Sequence, residues 1–259
     1  MTGTLGNHVA SWVKRVQERR QRAAVNRAGQ LGKPVLVDRF GREEAEVMLR
    51  EMVEEILRLA PEAPHIGRDG SPAAGNLKGA YSGLAVYRVV KRHGGSVEDA
   101  GEFFHRLSRE QLVRLPKVIR SVMAWYWFSG LRRRKWERGA QRSQARRYPG
   151  DWVMEMVPAE GKDFDLGFDI TECGIVKYLH AHDADEMTPY LCDVDYVAAE
   201  VLGYGLHRTK TLSWGCDRCD FRFSRHGHTT ATWPPQFVER TCGLPQAPTK
   251  ETRESAAAS

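Results

Sequence analysis

Apolar and polar positions follow two rhythms along this chain, and the change falls near residue 148. Before it, apolar residues recur every three or four positions, the period that gathers them on one face of a helix. Residues 42–59 show it most clearly, with Ala45, Met48, Met52, Ile56 and Leu59 in register. Residues 8–28 read as a basic helix with Trp12 and Val13 as its few apolar anchors. The stretch Pro61–Gly75 is rich in Pro and Gly and reads as a loop. A further helix opens near Asn76, which can cap it, carries Leu77, Ala80, Tyr81 and Leu84, and ends before Gly94 and Gly95. Ser96 followed by Asp99 is close to a capping box and predicts the next helix. Pro116 predicts the start of a long one, through Trp125 and Trp127 into Arg132–Lys135.

After Tyr148-Pro-Gly-Asp-Trp152 the period becomes two. Trp152, Met154 and Met156 alternate with Val153, Glu155 and Val157; Phe164, Leu166, Phe168 and Ile170 alternate with Asp163, Asp165, Gly167 and Asp169. These predict two strands, each with one buried face. Helical stretches follow at about 171–184 and 188–202, the second opened by Thr188-Pro189, and two more strands at Leu206–Leu212 and Cys219–Ser224. The expected fold is α+β: a helical N-terminal half packed with a small antiparallel four-stranded sheet, in the order β-β-α-α-β-β. Residues 1–40 are expected as a basic helical extension, 41–225 as one domain, and 226–259 as a partly disordered C-terminal tail.

Composition narrows the class. The 259 residues are 41% hydrophobic and include seven Trp, nine Phe and eight Tyr, which excludes a disordered chain. The most apolar stretch, residues 121–131, is about half the length a bilayer requires, and the N-terminus lacks a charged-then-apolar leader, so a cytoplasmic protein without membrane association is expected. Five Cys in such a chain favour reduced thiols, a reactive Cys or a metal site over a disulfide framework. Charge is uneven: residues 1–150 hold 29 Lys/Arg against 15 Asp/Glu, and residues 151–259 hold 10 against 18. The basic runs at Arg19–Arg20 and Arg132–Lys135 lack interleaved aromatics, so nucleic acid is not expected as a partner. Two complementary halves that pack together, or face each other across a homodimer, account for the asymmetry.

The densest chemistry lies in Phe168-Asp-Ile-Thr-Glu-Cys-Gly-Ile-Val-Lys-Tyr-Leu-His180. With Thr171 as cap, Cys173 falls in the first helical turn, where unpaired amides and the dipole lower a thiol pKa. Cys173 is therefore expected to be the most reactive of the five thiols. Lys177 and His180 follow at four and seven residues, giving nucleophile, cation and base on one stripe. The bland alternative is a small buried Cys beside two solvated polar residues. Asp195 sits on the flank of an apolar helix face and needs a partner, either as orienter of His180 or Lys177 or in a structural ion pair. In Cys219-Asp-Phe-Arg-Phe223 the alternation places Asp220 and Arg222 opposite the Cys219 face. The planar fork of Arg222 suits a substrate carboxylate; its alternative is an ion pair with Asp165 or Asp169. A metal is not expected. Cys216-x2-Cys219 has ligand spacing, but His226-x-His228 does not, and six residues between the pairs would crowd four ligands.

From about residue 60 to 225 the chain resembles the L-2-amino-thiazoline-4-carboxylic acid hydrolase family. The resemblance is carried by Tyr148-Pro-Gly-Asp-Trp152, Phe168-Asp-Ile-Thr-Glu-Cys-Gly174, Tyr190-Leu-Cys-Asp-Val-Asp-Tyr196 and Cys219-Asp-Phe-Arg-Phe223, with Asn76-Leu-x-Gly79 similar to the N-terminal element. It implies a cofactor-free hydrolase that opens a C–N or C–S bond in a small cyclic substrate, as in opening an aminothiazoline ring to a carbamoyl-cysteine. On this reading Cys173, Lys177, His180 and Asp195 are catalytic, and Arg222, Asp220, Tyr148 and Asn76 meet a small substrate that can bear a carboxylate. A route without a covalent step has Asp195 or Glu172 activating water. Two other classes stay open: a lyase, isomerase or ring-forming enzyme on the same scaffold, and a binding protein without turnover.

Overall fold

The apolar stripes fold as expected into helices that bury them. The computed structural model describes residues 3–67 and 71–235. Six helices come first: α1 (Gly3–Phe40), α2 (Arg42–Leu59), α3 (Leu77–Arg92), α4 (Val97–Val113), α5 (Lys117–Trp127) and α6 (Gly130–Ser143). They are followed by β1 (Val153–Val157), β2 (Leu166–Glu172), α7 (Gly174–His180), α8 (Thr188–Leu202), β3 (Gly205–His207) and β4 (Cys219–Ser224). The fold is α+β, with strand order β1-β2-β4-β3 and every neighbouring pair antiparallel. No described helix is long and apolar enough to cross a membrane.

Four details depart from the sequence expectations, each for a local reason. The first helix runs on to Phe40 because Leu36 is fully buried and Val25, Val37 and Phe40 also pack on the core. The expected long helix after Pro116 is broken at Phe128, where Ser129 accepts from the Arg132 amide at 3.3 Å and gives α6 its own N-cap. Thr171 lies in β2, so the next helix starts at Gly174. β3 stops at His207 because the Thr209 and Lys210 amides turn to the Asp220 carboxylate, at 2.9 and 2.6 Å.

The sheet's inner face carries Phe168, Ile170, Cys219, Phe221 and Phe223, as the alternation requires. Phe168 pairs with Phe221 across the β2–β4 ladder, their rings 5.0 Å apart, and Trp136 of α6 covers Phe168 at 4.5 Å. α3, α4 and α8 form the helical layer, centred on Leu84, Val89, Phe103 and Val197. The start of the expected tail packs back on this body. Thr229 bonds the Tyr204 carbonyl and the Leu206 amide, and Trp233 lies against His105 and Tyr190. Residues 236–259, including Cys242, lie outside the described residues.

The Tyr148–Trp152 corner joins the two halves. Asp151 is buried and accepts from the Ser71 and Trp152 amides, both at 2.8 Å, tying the 61–76 loop to the start of β1. Ser143 accepts from the Met154 amide at 3.1 Å and donates to the Ala140 carbonyl at 2.7 Å, fixing α6 to the same strand. Gly174 abuts this corner: a methyl there would lie 2.6 Å from the Gly150 carbonyl oxygen and 2.7 Å from the Trp152 ring. Gly174→Ala is therefore expected to destabilise the protein by about 1–3 kcal/mol, the usual range for an overpacked core. Urea unfolding of the two proteins checks it; an unchanged midpoint would show that the corner yields freely.

Candidate active site

The inner face of the sheet does not close directly onto the helices. A cavity of about 550 Å³ lies between Phe168, Ile170, Phe221 and Phe223 of the sheet, Leu191, Val194 and Ala198 of α8, and Met123, Tyr126 and Trp127 of α5. Its polar lining is sparse. Cys173, Cys192, Cys219, Asp195, Arg208, Arg132 and Asn76 supply it, with the Trp152 and Trp136 rings between them. Few polar groups in an apolar, aromatic hollow are the usual make-up of a small-molecule site.

Cys173 is the N-cap of α7 and holds extended backbone, φ −117° and ψ 123°. The expected stripe of Cys173, Lys177 and His180 fails for that reason: an N-cap residue lies outside the helix, so helical spacing does not govern where its side chain points. Lys177 faces a second cavity of about 370 Å³, lined also by Tyr148, Asp151 and Glu172. There it donates to Glu172 and, at 3.0 Å, to the Asp151 carbonyl. Glu172 also binds Arg146 at 2.7 Å, and Lys177 and Arg146 together hold its carboxyl below the usual range. His180 is 78% exposed and pairs with Asp185 at 3.0 Å. No histidine lines the larger cavity among the described residues.

The thiol chemistry differs from the expectation too. Burial pushes Cys173 up to about 12 and a neighbouring thiol, Cys219, adds to the rise, while the Val176 and Ile175 amides and the Trp152 indole pull it down. Desolvation therefore outweighs the helix start. Cys192 is pushed further in the same direction, again by burial. Cys219 has a structural bond, accepting from the Leu212 amide at 3.2 Å. Cys216 is disulfide-bonded, unlike the reduced thiols expected, which removes it from the ligand set once considered for zinc. Among the described residues, no three His, Cys, Asp or Glu side chains group as a metal site.

Asp195 lines the cavity and pairs with Arg208, Nη1 to Oδ2 at 3.4 Å. Arg208 is 2% exposed and also donates to the Cys192 carbonyl at 3.3 Å, with its guanidinium 4.7 Å from the Phe221 ring centre. Burial raises the Asp195 carboxyl above its ordinary value and Arg208 pulls it back. Arg222 takes its structural alternative: it donates to Asp169 at 2.8 Å and to the Phe221 carbonyl at 2.9 Å, and does not line the cavity. Asp220 is engaged by the Thr209 hydroxyl and the two turn amides, Tyr148 lies in the second cavity, and Asn76 lines the first.

The sequence pattern described as L-2-amino-thiazoline-4-carboxylic acid hydrolase matches residues 79–223, more than half of the chain. The chain belongs to that family. No curated protein and no solved structure matches it. The matched span runs from α3 through β4 and so contains all but the first residues of the larger cavity's wall.

Sequence reasoning missed Arg208, Arg132 and Cys192 as cavity residues. It also missed the buried His105–Asp193 pair, Nδ1 to Oδ2 at 2.5 Å, which joins α4 to α8 outside both cavities. The raised Cys173 pKa makes a further expectation. Alkylation of Cys173 by iodoacetamide is expected to be slower at pH 7.5 than that of a free thiol of ordinary pKa (about 8.5), and to keep rising beyond pH 9. Mass-spectrometric rates at each Cys test this; a plateau below pH 8 would contradict it.

Proposed function

We propose that this chain is a hydrolase that opens a C–N or C–S bond in a small cyclic amidine, thiazoline or lactam-like substrate, with Cys173 as nucleophile and Asp195 as proton acceptor. One observation carries the reading: of the residues with candidate catalytic chemistry, Cys173 and Asp195 open onto the same cavity, while Lys177, His180 and Glu172 do not. Cys219 is buried and Cys192 is further from ionising, which leaves the half-buried Cys173, where two amides and an indole offset part of the cost that burial places on its thiolate.

In this reading the Cys173 Sγ adds to the electrophilic ring carbon as its proton passes to Asp195. The bond from that carbon to the ring heteroatom breaks, and the heteroatom leaves with the electron pair and takes the proton from Asp195. Water then adds to the same carbon, the Sγ–C bond breaks, and the thiol regains a proton. A carboxyl held above its ordinary pKa releases and retakes a proton more evenly near neutrality than an exposed one.

The experiment uses 2-amino-thiazoline-4-carboxylate as substrate. Cys173→Ala is expected to remove turnover and any covalent mass adduct together, while Cys192→Ser and Cys219→Ser retain both. Asp195→Asn is expected to lower kcat by about 10²–10⁴-fold. Asp195 must be ionised to accept a proton, so wild-type kcat falls as pH drops, with an apparent pKa above the ordinary Asp value, about 3.9. Turnover by Cys173→Ala at the wild-type rate would leave Asp195 and water as the route and end the covalent reading.

A further inference from the structure

Among the described residues, Arg132 is the cation of the larger cavity that no acidic group balances. It lies in the first turn of α6, within the basic run Arg132–Lys135, yet it alone of that run lines the cavity. Its guanidinium lies 3.8 Å from the centre of the Trp127 ring, 5.0 Å from Trp136 and 5.7 Å from Tyr126. Among the described residues its side chain has no ion pair and no hydrogen bond. Its Nε is enclosed without a partner, and so is the indole Nε1 of the Trp127 against which it stacks. Two orphan donors thus sit side by side on one wall of an otherwise apolar hollow. Arg208 is matched by Asp195, and Arg222 by Asp169, so neither asks for an outside anion.

An enclosed donor without an acceptor is costly, and a desolvated guanidinium more so. Burial pulls the Arg132 pKa below its ordinary value, which is the same cost expressed as proton affinity. A guanidinium nevertheless stays charged in any protein. The stacking supplies the geometry. With Trp127 at 3.8 Å and the Nε enclosed, the terminal Nη groups are the part of the fork left to meet the two oxygens of a carboxylate.

We propose that Arg132, with the Trp127 indole beside it, is the recognition site for a carboxylate on the substrate of this cavity. The inference rests on the reading of that cavity as the substrate site, but not on the chemistry assigned to Cys173. Without a ligand the charge has aromatic rings as its neighbours and, among the described residues, no acceptor for its N–H groups, which separates it from an arginine held in a structural ion pair.

The test is binding, followed by intrinsic fluorescence and calorimetry on the full chain. Two pairs of probes are used: 2-amino-thiazoline-4-carboxylate against 2-amino-thiazoline, and benzoate against benzamide. Wild type is expected to prefer the carboxylate in at least one pair by about ten- to a hundredfold, the range for one charged, hydrogen-bonded contact. Arg132→Met should erase that preference and melt at or above the wild-type temperature, since an uncompensated charge has been removed. If that variant does not fold, Arg132→Lys decides: a carboxylate preference cut by loss of the fork supports the assignment, an unchanged one overturns it. Survival of the preference in Arg132→Met, or a wild type that prefers neither carboxylate, also overturns it. A folded Arg132→Met that melts lower and still discriminates makes Arg132 scaffold. Product formation is measured separately, so that an Arg132-dependent preference without turnover would end the hydrolytic reading and leave this one standing.

Discussion

Gly174 lies so near the Gly150 carbonyl and the Trp152 ring that no side chain fits between them. That contact fixes where α7 begins and therefore where the preceding residue, Cys173, points. The corner it rests on is itself pinned, since Asp151 binds the amides of Ser71 and Trp152 from a buried position. Hydrogen bonds to a charged acceptor of this kind contribute about 1.5–3 kcal/mol each. In Glu-Cys-Gly the Cys lines the cavity and the Gly permits its placement.

The cavity's polar groups divide by whether the protein has balanced them. Asp195 and Arg208 balance each other, and burial holds the Asp195 carboxyl above its ordinary value against the pull of Arg208. Outside, Glu172 is shared by Lys177 and Arg146, and Asp169 by Arg218 and Arg222. These outer clusters stitch surface elements together and leave little chemistry free. Arg132 belongs to neither group, and the aromatic wall around it keeps solvent from doing what a carboxylate would.

The sheet was readable from the sequence because strands announce themselves by strict alternation, and Phe168, Phe221 and Phe223 sit where period two puts them. The helices of the first half were readable for the same reason at a longer period. What spacing could not show is which way a residue faces once it lies at the end of an element. Cys173 at an N-cap, Arg208 just past β3 and Arg132 in the first turn of α6 all line the cavity from positions where periodicity does not fix the direction of a side chain. Arg132 in particular is hidden within a run of four basic residues, and only the Trp127 and Trp136 rings distinguish it. Lys177 and His180, by contrast, looked like partners of the thiol on a helical wheel whose origin lay two residues too early.

α5 contributes Met123, Tyr126 and Trp127 to the cavity wall and yet buries no residue completely. On its outer side Val118 is 72% exposed, Val122 54% and Trp125 70%, so a strongly apolar helix is held by little of its own surface. Such an element opens locally at a free energy well below that of global unfolding. α3 and α8, with their long buried faces, carry the cooperative stability of the molecule. The energy that keeps the chain folded is therefore largely separate from the energy that keeps its cavity roofed.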